Sequence, residues 1–164
     1  MIIEIKEEID LKFGSAVVEI VDKGLQPTLL VKKEALSSIC LWLRDHPKYY
    51  FDFLANITAV DYYPESRFAV VYNLTSIPFQ LQLTLRVELE HQERNFEQLP
   101  ELPSVSSIWR TADWHEREAF DLMGIYFTDH PDLRRILLPD DWEGFPLRKD
   151  YQDPESYHGI PINN

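Results

Sequence analysis

RFAVVYNLTS (Arg67–Ser76), the connecting pair Ile77 and Pro78, and FQLQLTLRVEL (Phe79–Leu89) decide the fold. In the second run Leu81, Leu83, Leu85, Val87 and Leu89 alternate with Gln82, Thr84, Arg86 and Glu88. A period of two turns one set inward and leaves the other in water. The break at Pro78 is too short for a crossover, so the two strands are expected to pair antiparallel.

Working back from this pair, Tyr49 to Tyr63 is rich in aromatics and reads two ways. Phe51, Phe53 and Leu54 suit the start of a helical turn, and Ile57 to Tyr62 suits a strand. Residues 34–45 place Leu36, Ile39, Cys40 and Leu43 on one helical face, and Pro47 ends the helix. Thr28–Val31 and residues 16–21 are β-branched and apolar, with a turn at Gly24–Pro27, and form a hairpin. Ile2, Ile5 and Ile9 recur at helical spacing over residues 2–12, with Gly14 as the stop. The expected architecture is α+β: a mainly antiparallel or mixed sheet of about four strands (near 16–21, 28–31, 67–76 and 79–89), with helices on its apolar face. Residues 1–151 read as a single domain and 152–164 as an irregular tail.

Working forward, Glu90 to Pro103 is acidic and proline-flanked and reads as loop. Asp113 then suits an N-cap, with Glu116 completing a capping-box pattern. Phe120 and Met123 share a face, Arg117 and Asp121 stand at i,i+4, and Gly124 suits a left-handed stop. Ile125 to Phe127 is a brief extended run. Beyond it Pro131, Pro139, Pro146, Pro154 and Pro161 exclude a long helix. This stretch reads as an extended proline-rich arm in which charge is interleaved with Trp, Leu and Ile. Two uses are open. The arm straps across its own domain, or its Arg and Trp residues, types enriched at interface hot spots, anchor it to another chain.

Glu116-Arg117-Glu118-Ala119-Phe120-Asp121-Leu122-Met123, then His130 and Arg134-Arg135-Ile136-Leu137, resemble the signature of the C subunit of bacterial NADH:quinone oxidoreductase, the thirty-kilodalton subunit family of respiratory complex I. Trp142 to Tyr151 (WEGFPLRKDY) resembles the same family's second block, with Phe145 where the family usually has His. Val60-Asp61-Tyr62 and Val71 to Ser76 extend the likeness upstream. The resemblance implies a non-catalytic subunit of the peripheral arm. It packs on the larger D subunit beside the cluster-bearing subunits and supports electron transfer from NADH to quinone in a proton-translocating complex. It implies no cofactor in this chain, with flavin and iron–sulfur clusters in partner subunits. It also implies a place on the cytoplasmic side of a bacterial plasma membrane, reached through other subunits. The residues expected at the partner interface are Glu116, Arg117, Glu118, Asp121, His130, Arg134, Arg135, Trp142, Arg148 and Lys149.

Composition agrees with a globular chain: 45% hydrophobic, 27% charged. A net charge of −12 supplies no basic excess to neutralise nucleic-acid phosphates or anionic lipid. The single cysteine, Cys40, makes no internal disulfide and no cluster. No apolar run approaches a membrane span, and the N-terminus has no signal-peptide pattern. No phosphate-cradling glycine motif is present. A metal finds no helical pair, since the residue four beyond His115 is Ala119. The alternative reading is a free-standing α+β enzyme holding a divalent cation on Glu116, Glu118 and Asp121.

Overall fold

The computed structural model describes residues 1–21, 26–91, 93, 94 and 96–162. Gly24 and Leu25 of the expected first turn lie outside them. Helix α1 (Ile2–Phe13) buries Ile5 and Ile9 and stops at Gly14 in the left-handed region. Strands β1 (Val17–Val21) and β2 (Thr28–Val31) pair antiparallel. A 3-10 turn (Lys33–Ala35) leads into α2 (Leu36–Asp45), which buries Leu36, Ile39, Cys40 and Leu43. Strands β3 (Phe53–Asp61), β4 (Arg67–Ser76) and β5 (Leu81–Glu90) follow as an antiparallel meander. Short β6 (Glu101–Pro103) pairs in parallel with β7 (Tyr126–Thr128), and helix α3 (Ala112–Met123) lies between them in sequence.

The main sheet has five strands in the order β1-β2-β5-β4-β3. It is mixed, because β2 runs parallel to β5 with Thr28 opposite Thr84. The expectation of about four strands missed β3. The reason is a bulge between Leu54 and Asn56. It puts two buried apolar residues, Leu54 and Ile57, at a spacing of three instead of two. On β4 and β5 the alternation holds. Phe68, Val70, Tyr72 and Leu74 face Leu89, Val87, Leu85 and Leu83, and all are buried.

The core lies between this face and the helices, where Ile5, Ile9, Leu36, Ile39 and Leu43 have no exposed surface. The opposite face carries a chain of side-chain hydrogen bonds. Gln26 Nε2 donates to Gln82 Oε1, the Thr84 hydroxyl directs its one proton to Asn73 Oδ1 at 2.9 Å with Gln26 Oε1 further off at 3.2 Å, and Asn73 Nδ2 donates to Asn56 Oδ1. Four strands or their flanks are thus linked by neutral groups.

The proline-rich stretch is not an extended arm. It is a string of turns, with Trp142 N–H bonded to Pro139 O, Arg148 N–H to Phe145 O and Tyr151 N–H to Arg148 O. The tail is not wholly irregular: β8 (Ser156–Tyr157) and β9 (Ile160–Pro161) make a small hairpin turning at His158 and Gly159, both at positive φ.

One polar group in the core has no evident use. The Tyr72 hydroxyl is buried and has no hydrogen-bond partner among the described residues. Removing an unsatisfied buried polar group is neutral or favourable. Tyr72→Phe is expected to leave the unfolding free energy unchanged or raise it by up to about 1 kcal/mol in urea titration. A loss of more than that would mean that the hydroxyl is solvated or bonded.

Candidate functional site

The charged residues of α3 and of the coil after it form three knots, and most of each knot is inside the fold. The first surrounds Glu116, which is fully buried. Its Oε1 accepts the Val105 N–H at 2.7 Å, and its Oε2 meets the Ser104 hydroxyl at 2.6 Å. Glu116 is therefore no capping-box residue. It holds the loop after β6, and the residue at the N-cap is Thr111, which makes no side-chain cap bond. The buried His130 ring lies 3.8 Å from Glu116. Its Nδ1 accepts the Asp132 N–H, so its proton sits on Nε2, which bonds Asp113 O at 3.2 Å. Burial pushes the Glu116 carboxyl up to about 7, against the two hydrogen bonds that favour its charged form. The Ser104 hydroxyl serves either state, donating to the carboxylate or accepting from the acid.

The second knot surrounds Asp121, also fully buried. Its expected partner was Arg117, but Arg117 instead pairs with Asp113 at 2.9 Å and Asp132 at 3.0 Å. Asp121 Oδ2 accepts three successive backbone N–H groups, from Ile136, Leu137 and Leu138, at 2.7 to 3.0 Å. Its Oδ1 pairs with Arg135 at 2.9 Å. The same guanidinium donates to the carbonyls of Trp142 and Gly144. Burial works against the charge of Asp121, yet these N–H groups and Arg135 hold its carboxyl below the usual range.

The third knot closes the coil on the sheet. Arg94 forks between Asp61, at the end of β3, and Asp150. Asp61 also accepts the Lys149 N–H at 2.9 Å. Arg148 is buried and donates to Met123 O, Gly124 O and Arg94 O, capping the end of α3. The rings of Phe145, Phe68 and Phe96 lie 4.7, 5.2 and 5.7 Å from its guanidinium. Burial, and then the charge of Arg94, bring its pKa down to about 10. Gly124 has φ 68°, and a Cβ there would stand 2.5 Å from the Phe145 ring and 2.7 Å from Arg148. Only glycine admits this closure.

The expected interface set is thereby divided. Glu116, Arg117, Asp121 and Arg148 are buried, and His130, Arg135 and Trp142 are partly buried and engaged within the chain. Glu118, Arg134 and Lys149 are exposed. Arg135 and Arg148, expected to face a partner, spend their donors inside the chain: Arg135 on Asp121 and on the Trp142 and Gly144 carbonyls, Arg148 on the Met123, Gly124 and Arg94 carbonyls. The three carboxylates of the enzymatic alternative do not converge: Glu116 turns to Ser104, Asp121 to Arg135, and Glu118 to solvent. Among the described residues no group of three or more His, Cys, Asp or Glu is placed to hold a metal ion. Sequence reasoning missed Arg94 and Ser104, which carry no motif of their own, and named Asp61 only within the upstream likeness without giving it a partner.

Residues 29–157 match the family model of the respiratory-chain NADH dehydrogenase 30 Kd subunit. The chain is 44% identical over 153 residues to the NADH-quinone oxidoreductase C subunit of Chlorobium phaeobacteroides, covering 92% of this chain and 89% of that one. It is likewise 44% identical to the C subunit of Chloroherpeton thalassium, covering 92% of this chain but only 61% of that relative's length. Among solved structures, a chain of the membrane-bound sulfane sulfur reductase, an archaeal respiratory membrane complex, shares the fold. Its TM-score is 0.72 at 22% identity, over 91% of this chain and 84% of that one.

Two predictions come from the knots. Arg135→Ala leaves Asp121 buried beside a lost counter-charge and frees three carbonyls, those of Asp121, Trp142 and Gly144. It should destabilise the isolated chain by about 3–5 kcal/mol in denaturant unfolding; a change under about 1 kcal/mol would mean that the strap is not formed in solution. Glu116 has its folded pKa raised above the ordinary value, so the folded state holds the extra proton. Its stability contribution is thus greatest at low pH and falls as pH rises from about 4.5 to about 7. Glu116→Gln keeps an acceptor for Val105 and a donor for Ser104. It should flatten the decline in unfolding free energy measured between pH 5 and pH 8; an unchanged slope would place that titration elsewhere.

Proposed function

Because the chain belongs to the family of the respiratory-chain NADH dehydrogenase 30 Kd subunit, we propose that it is a non-catalytic subunit in the peripheral arm of a proton-translocating NADH:quinone oxidoreductase. It docks on the D subunit, beside the cluster-bearing subunits, and supports the path from NADH to quinone without flavin or iron–sulfur cluster of its own. Its place is the cytoplasmic side of a bacterial plasma membrane, reached through its partners. No described helix is long and apolar enough to cross a membrane.

The match across residues 29–157 carries this reading. The geometry supports it, since the family signature is spent on internal knots that fix a surface and not on a substrate cleft. Cys40 is buried, and burial drives its thiol far above the usual range, which leaves no ready nucleophile there. The docking role falls to the exposed members of the signature region, Glu118, Arg134 and Lys149. The same region also exposes the apolar side chains Trp114, Leu137 and Leu147. Mixed apolar and charged groups on a rigid base suit a protein interface.

The experiment is replacement of the native C subunit by this chain in a bacterium that makes such a complex. A tag on this chain should recover the D subunit in equal amount, and membrane NADH:quinone reductase activity should return. The chain purified alone should reduce no quinone. Failure to recover the D subunit, or NADH oxidation by the isolated chain, would sink the proposal.

A further inference from the structure

We infer that one corner of the sheet is a second docking point, which receives an apolar side chain and an adjoining carboxylate from another subunit of the assembly. The inference rests on the reading above that the chain works inside a complex. Four large apolar side chains stand out of the surface at this corner: Tyr50 at 45%, Phe53 at 42%, Ile77 at 61% and Phe79 at 48% exposure. Their neighbourhood follows from the ladder. Phe53 lies opposite Thr75, and Ile77 follows two residues later at the start of the turn after β4. The Ile77 N–H donates to Asp52 Oδ1 at 2.9 Å, which ties the β4–β5 turn to the segment before β3. Phe79 rides on that turn, between the paired residues Ser76 and Leu81.

Tyr50 and Phe53 border a groove of about 290 Å³, lined also by Leu54, Trp109, Arg110 and Thr111. The groove is rigid where it matters. Trp109 is held by its ring N–H on Phe51 O at 3.0 Å, and the Thr111 hydroxyl bonds Leu54 O at 3.2 Å. A single exposed leucine is ordinary, but a contiguous apolar patch around a concavity marks a surface meant to be covered. Aromatic side chains with an arginine at the margin are the usual composition of a binding hot spot.

The charge at the rim selects the occupant. The groove is also lined by Arg44, Asp45 and Asp52: Arg44 is engaged by Asp45 at 2.7 Å and by Ile108 O, and Asp52 accepts the Ile77 N–H. Arg110 is exposed, and among the described residues its guanidinium has no ion-pair or hydrogen-bond partner. A free planar fork beside an apolar groove pairs with a carboxylate in two bonds. A second copy of this chain is a poor occupant, since each carries a net charge of −12 and the copies repel. The fitting partner is a loop of a different subunit that inserts a leucine-like or aromatic side chain and sets an Asp or Glu beside it.

The test uses the complex assembled in cells that lack their own copy of this subunit. Ile77→Ser and Arg110→Glu, made singly, should leave the melting of the free chain unchanged. Each should cut recovery of the chain with a tagged D subunit by about tenfold, and Arg110→Lys should fall between. A photo-cross-linking residue replacing Ile77 should capture a different subunit of the complex. Should Ile77→Ser disturb melting, the Arg110→Glu recovery and the cross-link decide by themselves. Wild-type recovery of both variants overturns the proposal, as does a cross-link to a second copy or to nothing. If the unsubstituted chain fails to recover the D subunit, the assembly reading has failed; if it succeeds and both variants match it, only the corner has.

Discussion

The coil after α3 has no helix or strand between Thr128 and Ser156, and its fold depends on one carboxylate. A backbone without a ladder must still satisfy its N–H and C=O groups. Asp121 takes three consecutive N–H groups on one oxygen and a guanidinium on the other. Arg135 then carries the constraint onward to the Trp142 and Gly144 carbonyls. Arg148 does the same at the end of α3. These long cationic side chains replace the missing ladder. That explains why charge is so dense beside tryptophan and leucine in this part of the chain. It also explains why the same charges are poor candidates for direct contact with a partner: their donors are already used.

The sheet was legible because burial on one face leaves a period of two in the sequence, and the β4–β5 pairing follows from a connection too short for anything else. β3 was obscured by a single extra residue, Ala55, which shifts Leu54 and Ile57 to a helix-like spacing. α1 and α2 were read within a residue or two, since their apolar stripes are intact. The ends of α3 split in legibility. Gly124 announces itself, because a left-handed stop needs glycine. The N-terminus does not, because Asp113 and Glu116 have the chemistry of caps and are used for other bonds. The family was legible from the order of the signature residues. Their partners were not. Arg117 stands four residues from both Asp113 and Asp121, and local spacing alone does not choose between them; it pairs with Asp113 and Asp132, while Asp121 turns to Arg135. Asp132 and Arg135 come from the coil, and their approach leaves no local trace.

The acidic excess acquires a structural meaning once the pairings are known. Arg94 is taken by Asp61 and Asp150, Arg117 by Asp113 and Asp132, and Arg135 by Asp121. Arginine rather than lysine serves at all three points, because one fork can bridge two acceptors at fixed angles. The cations are drawn inward to order the coil, and unpaired carboxylates such as Glu118 are left at the surface. An outer surface of this kind repels copies of itself and favours partners of opposite charge at its rim.

Two surfaces of the sheet remain without a helix over them, and they differ in what they ask of a partner. On the broad face, Gln26, Gln82, Thr84, Asn73 and Asn56 satisfy one another across the strands. Neutral groups bonded in this way coexist with water and gain little from being covered, since a bond to a partner replaces a bond to water. At the corner, Ile77 and Phe79 project from a turn and Tyr50 is held at φ 40°, which a bulky side chain does not choose freely. Apolar area gains on leaving water roughly in proportion to what is buried. Apolar area left in water therefore stands at the corner and, as Trp114, on α3, whereas the polar groups of the wide face are bonded across the strands.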